Sequence, residues 1–202
     1  MTDILEDRLT LSREARDLLF LEARTANSFA DTAVSDEQVR AIYDLVKYAP
    51  TSMNQQPLRI VLLRSAGARG RLISHLARAN RQKSEEAPLV ALLAADLNFH
   101  DRLPEVFPHV PAARDMYRDT ALRKQSAQFN ATLQLAYFII GVRAAGLCAG
   151  PIVGYDEAGI NHDFFPEGDR CVLAVVNIGL PGADPWHPRL PRLSYEDVVT
   201  VA

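Results

Sequence analysis

The chain has 202 residues, 48% of them hydrophobic and 23% charged, with a formal net charge of -3. That balance excludes a disordered chain and fits one domain with a sizeable core. The basic residues are scattered, which argues against nucleic acid or an anionic membrane as a partner. Residues 1–11 carry acids and lack the apolar run of a signal peptide, so they are expected to form a loose arm before a single domain over 12–202. A helix is expected over 12–23, with Leu18, Leu19 and Leu21 or Ala23 on its buried side. It leads into Arg24-Thr25-Ala26-Asn27-Ser28-Phe29, where a single Arg after a helix is ordinarily a solvated side chain.

From Ser35, the positions Val39, Ile42, Tyr43, Val46 and Ala49 recur with a helical period. Ser35 and Gln38 have the form of a capping box, and Pro50 ends the run by clashing with the carbonyl four residues back. Thr51, Ser52, Asn54, Gln55 and Gln56 then precede Pro57 and a strand over 59–63. Such a loop offers hydroxyls, amides and free backbone N–H groups to a heteroaromatic ring edged with carbonyls and nitrogens. On its chemistry alone it is equally an ordinary polar connection.

Residues 65–70 read as a turn, followed by a helix to about residue 79. The continuous apolar run 89–95 reads as a strand buried on both faces. Residues 96–119 break the pattern with three prolines and three arginines and are expected to form a lid or substrate-side insert. A helix over 120–145 ends at Gly146, a residue suited to the left-handed cap, and its latter half is apolar nearly all round. Residues 149–155 read as a short extended turn whose glycines let main chain approach a flat ring closely. Asp156 caps a short helix, and 171–178 reads as a third strand.

Cys148 and Cys171 lack C-x-x-C spacing and read as reduced thiols. The five histidines show no ligand-like spacing, so no metal is expected. The longest apolar run, 135–142, is too short for a membrane span, and a cytoplasmic location is expected. Glycines 146, 150 and 154 follow a helix, the wrong order for a Rossmann turn, and there is no P-loop.

The stretch A-P-T-S-M-N-Q-Q-P at 49–57 resembles the P-[ST]-S-x-N-x-Q-P signature of the nitroreductase family of FMN-dependent oxidoreductases. Four such motifs fall in the family's order between about residues 18 and 199. The resemblance implies an α+β fold with a central mixed sheet flanked by helices, a domain-swapped type of homodimer with FMN at its interface, and NADPH or NADH as electron donor. It places Pro50, Thr51, Ser52 and Asn54 on the flavin. Arg24 and Thr25 match the residues that hold the FMN phosphate and Phe29 matches the end of that motif, while Asn27 stands where the family has a second cation near flavin N1. Asn80 resembles an amide that reaches the flavin pyrimidine, a solvated loop Asn being the other reading. Pro151, Val153 and Gly154 match a P-x-x-G segment whose N–H groups lie near flavin N5; many family members carry an acid where Val153 stands. Arg189 and Arg192 resemble C-terminal cations on the phosphate, Arg192 by the better spacing, and a guanidinium fork suits two phosphate oxygens.

Within the family, R-L-P-x-x-F-P-H at 102–109, G-P-I-V-G-Y-D and R-L-P-R-L-S-Y-E resemble the malonic semialdehyde reductase branch of pyrimidine breakdown. The implied reaction passes hydride from NAD(P)H by way of FMN to 3-oxopropanoate, giving 3-hydroxypropanoate. A small carboxylated aldehyde needs a cation for its carboxylate. Arg123 is the first candidate and Arg102 the second, against the plainer reading of both as solvated charges. His109, water or the ribityl hydroxyls are candidate proton donors. The alternatives are a broad nitro, quinone or enone reductase, or a flavin-binding protein without turnover.

Overall fold

The computed structural model describes residues 8–202; residues 1–7 of the expected arm lie outside the described residues. The chain opens with α1 (Arg13–Arg16), which widens into a π-turn (Asp17–Leu21), and continues through α2 (Asp36–Val46), β1 (Leu58–Leu63), α3 (Ala66–His75), α4 (Arg78–Glu86) and β2 (Leu89–Asp96). The insert follows as a 3-10 turn (Phe99–Arg102), α5 (Leu103–Val106) and a second 3-10 turn (Pro111–Tyr117). Then come α6 (Thr120–Ala144), β3 (Cys148–Ile152), α7 (Glu157–Phe164), β4 (Arg170–Gly179) and α8 (Tyr195–Val198).

The four strands form one sheet in the order β1-β2-β4-β3. All three pairings are antiparallel, so the mixed sheet implied by the resemblance is corrected within one chain. Helical excursions between β1 and β2, and between β3 and β4, return the chain beside the strand it left, which produces antiparallel neighbours.

β2 is fully buried from Leu89 to Ala95, as its unbroken apolar run implies. Its side chains divide by the strand's period of two. Val90, Leu92 and Ala94 join Leu72, Leu76 and Ile160 on the α3/α7 face, whereas Leu89, Ala91 and Leu93 meet Ile42, Phe138 and Val142 on the α2/α6 face. The insert has its own small core, Phe99, Leu103, Ala113 and Tyr117 against Ala127 and Ala131 of α6. It is therefore packed structure built from short turns.

Local signals set several boundaries. The Ser35 hydroxyl accepts from Gln38 N and the Gln38 side chain accepts from Ser35 N, completing the capping box of α2. Asp119 and Asp156 cap α6 and α7, and Gly146 ends α6 at φ +73°. Three expectations are corrected. The 65–70 turn is already the start of α3, capped by Ser65, and 78–86 is a further helix. Residues 148–152 form an edge strand where a turn was expected. Of the side chains expected to be buried on the first helix, Leu18 and Leu21 are exposed in the single chain and Leu19 and Ala23 are half-buried.

Close packing of α6 on α2 is set at Gly141, where an added Cβ would lie 2.3 Å from Val46 Cγ1. Gly141→Ala is expected to lower stability by about 1–2 kcal/mol, overpacking outweighing the gain in helix propensity. A denaturant midpoint at or above the wild-type value would contradict this.

Candidate functional site

Residues from the two ends of the chain meet first. The segment after the π-turn is joined to the C-terminal tail by a short ribbon: Asn27 N donates to Pro185 O, Gly182 N to Ser28 O, and Ala30 N to Leu180 O. The Ser28 hydroxyl donates to Ala183 O at 2.6 Å. Ala26 is fully buried beneath this ribbon. Arg24, Thr25 and Asn27 thereby line one cavity of about 270 Å³ together with His187, Arg189 and Arg192.

The cations in this cavity are differently engaged. Arg189 Nη2 donates to Leu21 O and, at 3.4 Å, to Ala23 O, so it fastens the end of the π-turn. Arg192 Nη1 donates only to the neighbouring carbonyls of Leu190 and Pro191. Arg24 lies 3.7 Å from Glu22. Asn27 Nδ2 makes a long contact of 3.4 Å to Thr25 O. Arg24 and Arg192 can therefore turn donors toward a dianion.

The P-x-x-G segment lies at the end of β3. Gly150 sits under the Arg24 segment, where an added Cβ would be 3.3 Å from Ala26 O, and Gly154 lies where a Cβ would be 2.9 Å from Asn80 Nδ2. Gly154 O accepts from Ala77 N at 2.9 Å and from Asn80 Nδ2 at 3.2 Å. Asn80 is thus brought to Gly154 as a tether, with its Oδ1 still available. Val153 between them is 75% exposed, and Pro151 is exposed as well.

The polar loop between α2 and β1 is a single 3-10 turn (Ser52–Asn54) with left-handed residues at Met53 (φ +51°), Asn54 (+51°) and Gln56 (+46°). Non-glycine residues held there cost about 1–3 kcal/mol each and persist only where the surroundings fix them. The fixing comes from α6 and the insert. Ser52 N donates to Asn130 Oδ1 at 2.7 Å and Leu58 N to Gln134 Oε1 at 2.9 Å. Gln55 donates to the Tyr117 hydroxyl and accepts from Ser126 and Asn130. Asn54 Nδ2 donates to Val106 O of the insert. Pro50, Thr51, Asn54 and Gln56 line an open cleft of about 460 Å³ with Tyr43 and Tyr48. Gln55 was legible from sequence only as one of the loop's polar residues, and Ser126, Asn130 and Gln134 were not assigned to the site; the available signal was polar residues recurring every four positions along α6.

A neighbouring cleft of about 630 Å³ runs from Gln55 and Gln56 to the insert and includes Arg59 and Arg102. Arg59 is committed to Asp96 at 2.5 Å. Arg102 is exposed and paired only with Glu105, at 2.9 Å. Arg123 is turned inward: its Nη1 contacts His100 Nε2 at 3.2 Å and donates to Tyr117 O at 3.3 Å. Burial, and then the Arg123 charge, push the His100 imidazole below its ordinary range, which favours the neutral ring able to accept from Arg123. Arg123 therefore braces the insert. His109 is exposed and lies against Phe107, the two rings tilted by 57° with their centroids 3.9 Å apart.

The antiparallel sheet between helical layers, the cationic cavity and the left-handed polar loop define an α+β fold that gathers cations and amides into a candidate binding site. The nitroreductase family profile matches residues 21–179, and the chain belongs to that family. A protein of Streptomyces griseus subsp. griseus, named as a candidate NADH dehydrogenase/NAD(P)H nitroreductase, is 58% identical over 193 residues, covering 95% of this chain and 98% of its own. Among solved structures, a nitroreductase-type protein of Exiguobacterium sibiricum in complex with FMN superposes with a TM-score of 0.83 at 21% identity, over 95% of this chain and 98% of its own. An enone reductase of gut-bacterial fatty acid saturation superposes with a TM-score of 0.79 at 14% identity, over 94% and 98%. No helix among the described residues is long and apolar enough to cross a membrane.

Proposed function

We propose that this chain is an FMN-dependent NAD(P)H oxidoreductase that acts as a homodimer, and that its preferred acceptor is a small carboxylated aldehyde, 3-oxopropanoate, reduced to 3-hydroxypropanoate in pyrimidine breakdown. The observation that carries the cofactor reading is the single cavity joining Arg24, Thr25 and Asn27 to Arg189 and Arg192 from the far end of the chain. Its donor set fits a phosphoryl ester. Gly150 and Gly154 pack against Ala26 O and Asn80 Nδ2, which holds the P-x-x-G segment close to the Arg24 segment and to Asn80. FMN, when bound, supplies the hydride exchange between nicotinamide and acceptor. The chain's own residues hold its phosphate, present amides to its ring, and hold the acceptor. The names of the close relatives support NAD(P)H as donor.

Within one chain, Pro50, Thr51 and Asn54 of the loop line a different cavity from the phosphate-side residues. A second copy that completes the site accounts for this separation. Leu122, Phe129, Leu133 and Tyr137 form an exposed apolar stripe along α6, and such stripes ordinarily mark association surfaces. Sedimentation velocity is expected to show a dimer that retains yellow FMN, and Phe129→Glu to yield a monomer with weakened FMN retention. A wild-type monomer that keeps FMN would remove the dimer from this reading.

The second reading is a broad nitro, quinone or enone reductase, favoured by the open, solvent-facing clefts beside the loop and by the nitroreductase names of the relatives. Steady NAD(P)H oxidation tests for an enzyme as such. Direct competition of 3-oxopropanoate against a quinone and a nitroarene then separates the two readings, and preference for the uncharged acceptors would select the second.

A further inference from the structure

We propose that Gln55 and Asn130 are positioning residues for the FMN-facing loop, fixing through one oriented chain of hydrogen bonds the left-handed turn that presents Thr51, Ser52 and Asn54. The inference rests on the reading that this loop contacts FMN.

The orientation of the chain follows from its first link. A backbone N–H can only donate, so Ser52 N fixes the oxygen of the Asn130 amide toward the loop, at 2.7 Å. Asn130 Nδ2 must then face away, and it donates to Gln55 Oε1 at 3.1 Å and to Ser126 O at 2.9 Å. With Gln55 Oε1 receiving from Asn130 and from the Ser126 hydroxyl, Gln55 Nε2 is directed to the Tyr117 hydroxyl oxygen at 2.5 Å. Both amides are 2% exposed. Water cannot substitute for any link without opening the packing between the loop, α6 and the insert.

The physical reason such a device is needed is the backbone it holds. Three non-glycine residues within four positions, Met53, Asn54 and Gln56, have positive φ; Asn tolerates this region, but Met53 and Gln56 persist there only where the surroundings fix them. Met53 is itself in reach of the network, since the Tyr117 hydroxyl lies 3.5 Å from its sulfur. Gln134, one turn beyond Asn130, receives Leu58 N and pins the loop's exit into β1. The network also joins the loop to the insert, so a shift of Tyr117 is felt at Ser52.

The test reads FMN itself: dissociation constants by flavin fluorescence, and the shape of the flavin absorption band, on protein shown to be folded. Asn130→Leu leaves Ser52 N and Gln55 Oε1 short of partners and is expected to raise the FMN Kd roughly 5- to 150-fold and alter the band. Tyr117→Phe removes only the terminal hydroxyl and is expected to give a smaller rise, roughly threefold to tenfold; it decides the matter if Asn130→Leu does not fold. Gly141→Ala destabilises the same helix away from the network and is expected to leave the Kd unchanged, which separates positioning from general loss of stability. Ser52→Ala removes the loop's exposed hydroxyl and tests the underlying reading. Wild-type Kd and band in Asn130→Leu and Tyr117→Phe, with Ser52→Ala altered, would overturn the inference and leave the loop's contact with FMN standing. Wild-type behaviour in all three would overturn both.

Discussion

Asn27→Arg is expected to raise the midpoint potential of the bound flavin by up to about 90 mV. Asn27 lines the same cavity as Arg24 and Arg192, and by resemblance it occupies the position of a family cation near flavin N1, where reduction places negative charge. At about 4 Å and an effective dielectric near 20, one unit charge is worth up to about 4 kcal/mol, equivalent to roughly 90 mV for a two-electron couple. Asn27 is half-buried, so solvent screening makes this a ceiling. Its backbone is held by Pro185 and its amide makes only the long contact to Thr25 O, so a longer side chain can be accommodated toward the cavity. The wild-type flavin, without that charge, is expected to be the stronger hydride donor, as a carbonyl acceptor requires. Spectroelectrochemical titration of wild type, Asn27→Arg and an uncharged Asn27→Gln control measures this. An unchanged or lower potential in Asn27→Arg would place residue 27 away from the flavin.

The parts of the molecule governed by local chemistry were legible in the sequence. The Ser35/Gln38 capping box, the Gly146 cap and the apolar run of β2 each depend on neighbours in the chain. β3 was not legible because Gly150 and Pro151 depress strand propensity; as an edge strand it tolerates a residue without an N–H. α4 escaped because it is polar nearly all round and carries no apolar period to read, and the glycines at 67 and 70 disguised the start of α3. For the site, motif residues far apart in sequence, Arg24 and Arg192, do meet in one cavity. What they would hold is not a property of either segment alone. The Ser126-Asn130-Gln134 stripe was visible as residues but not as a function, since its meaning depends on which backbone lies opposite.

Arg102→Ala is expected to lower kcat/KM for 3-oxopropanoate roughly 10- to 150-fold while changing that for an uncharged quinone little, the loss being that of one charge-assisted hydrogen bond to a carboxylate. A three-carbon semialdehyde offers little apolar area, so its binding rests on its charge. Of the two candidate arginines, Arg123 in the first turn of α6 was the first choice from sequence, but its Nη1 is engaged by His100 and Tyr117 O of the insert. Arg102 faces the cleft that also contains Gln55 and Gln56 of the loop, and its present partner is the exposed carboxylate of Glu105. A substrate carboxylate would exchange with Glu105 like for like, without leaving a buried charge unpaired. Arg123→Ala is expected instead to weaken all acceptors together, because it releases the insert and, through Tyr117 and Gln55, the loop. Steady-state kinetics of both variants on both acceptors decide the assignment: a selective loss in Arg123→Ala would return the carboxylate to Arg123, and equal losses on both acceptors in both variants would remove the insert cations from substrate selection.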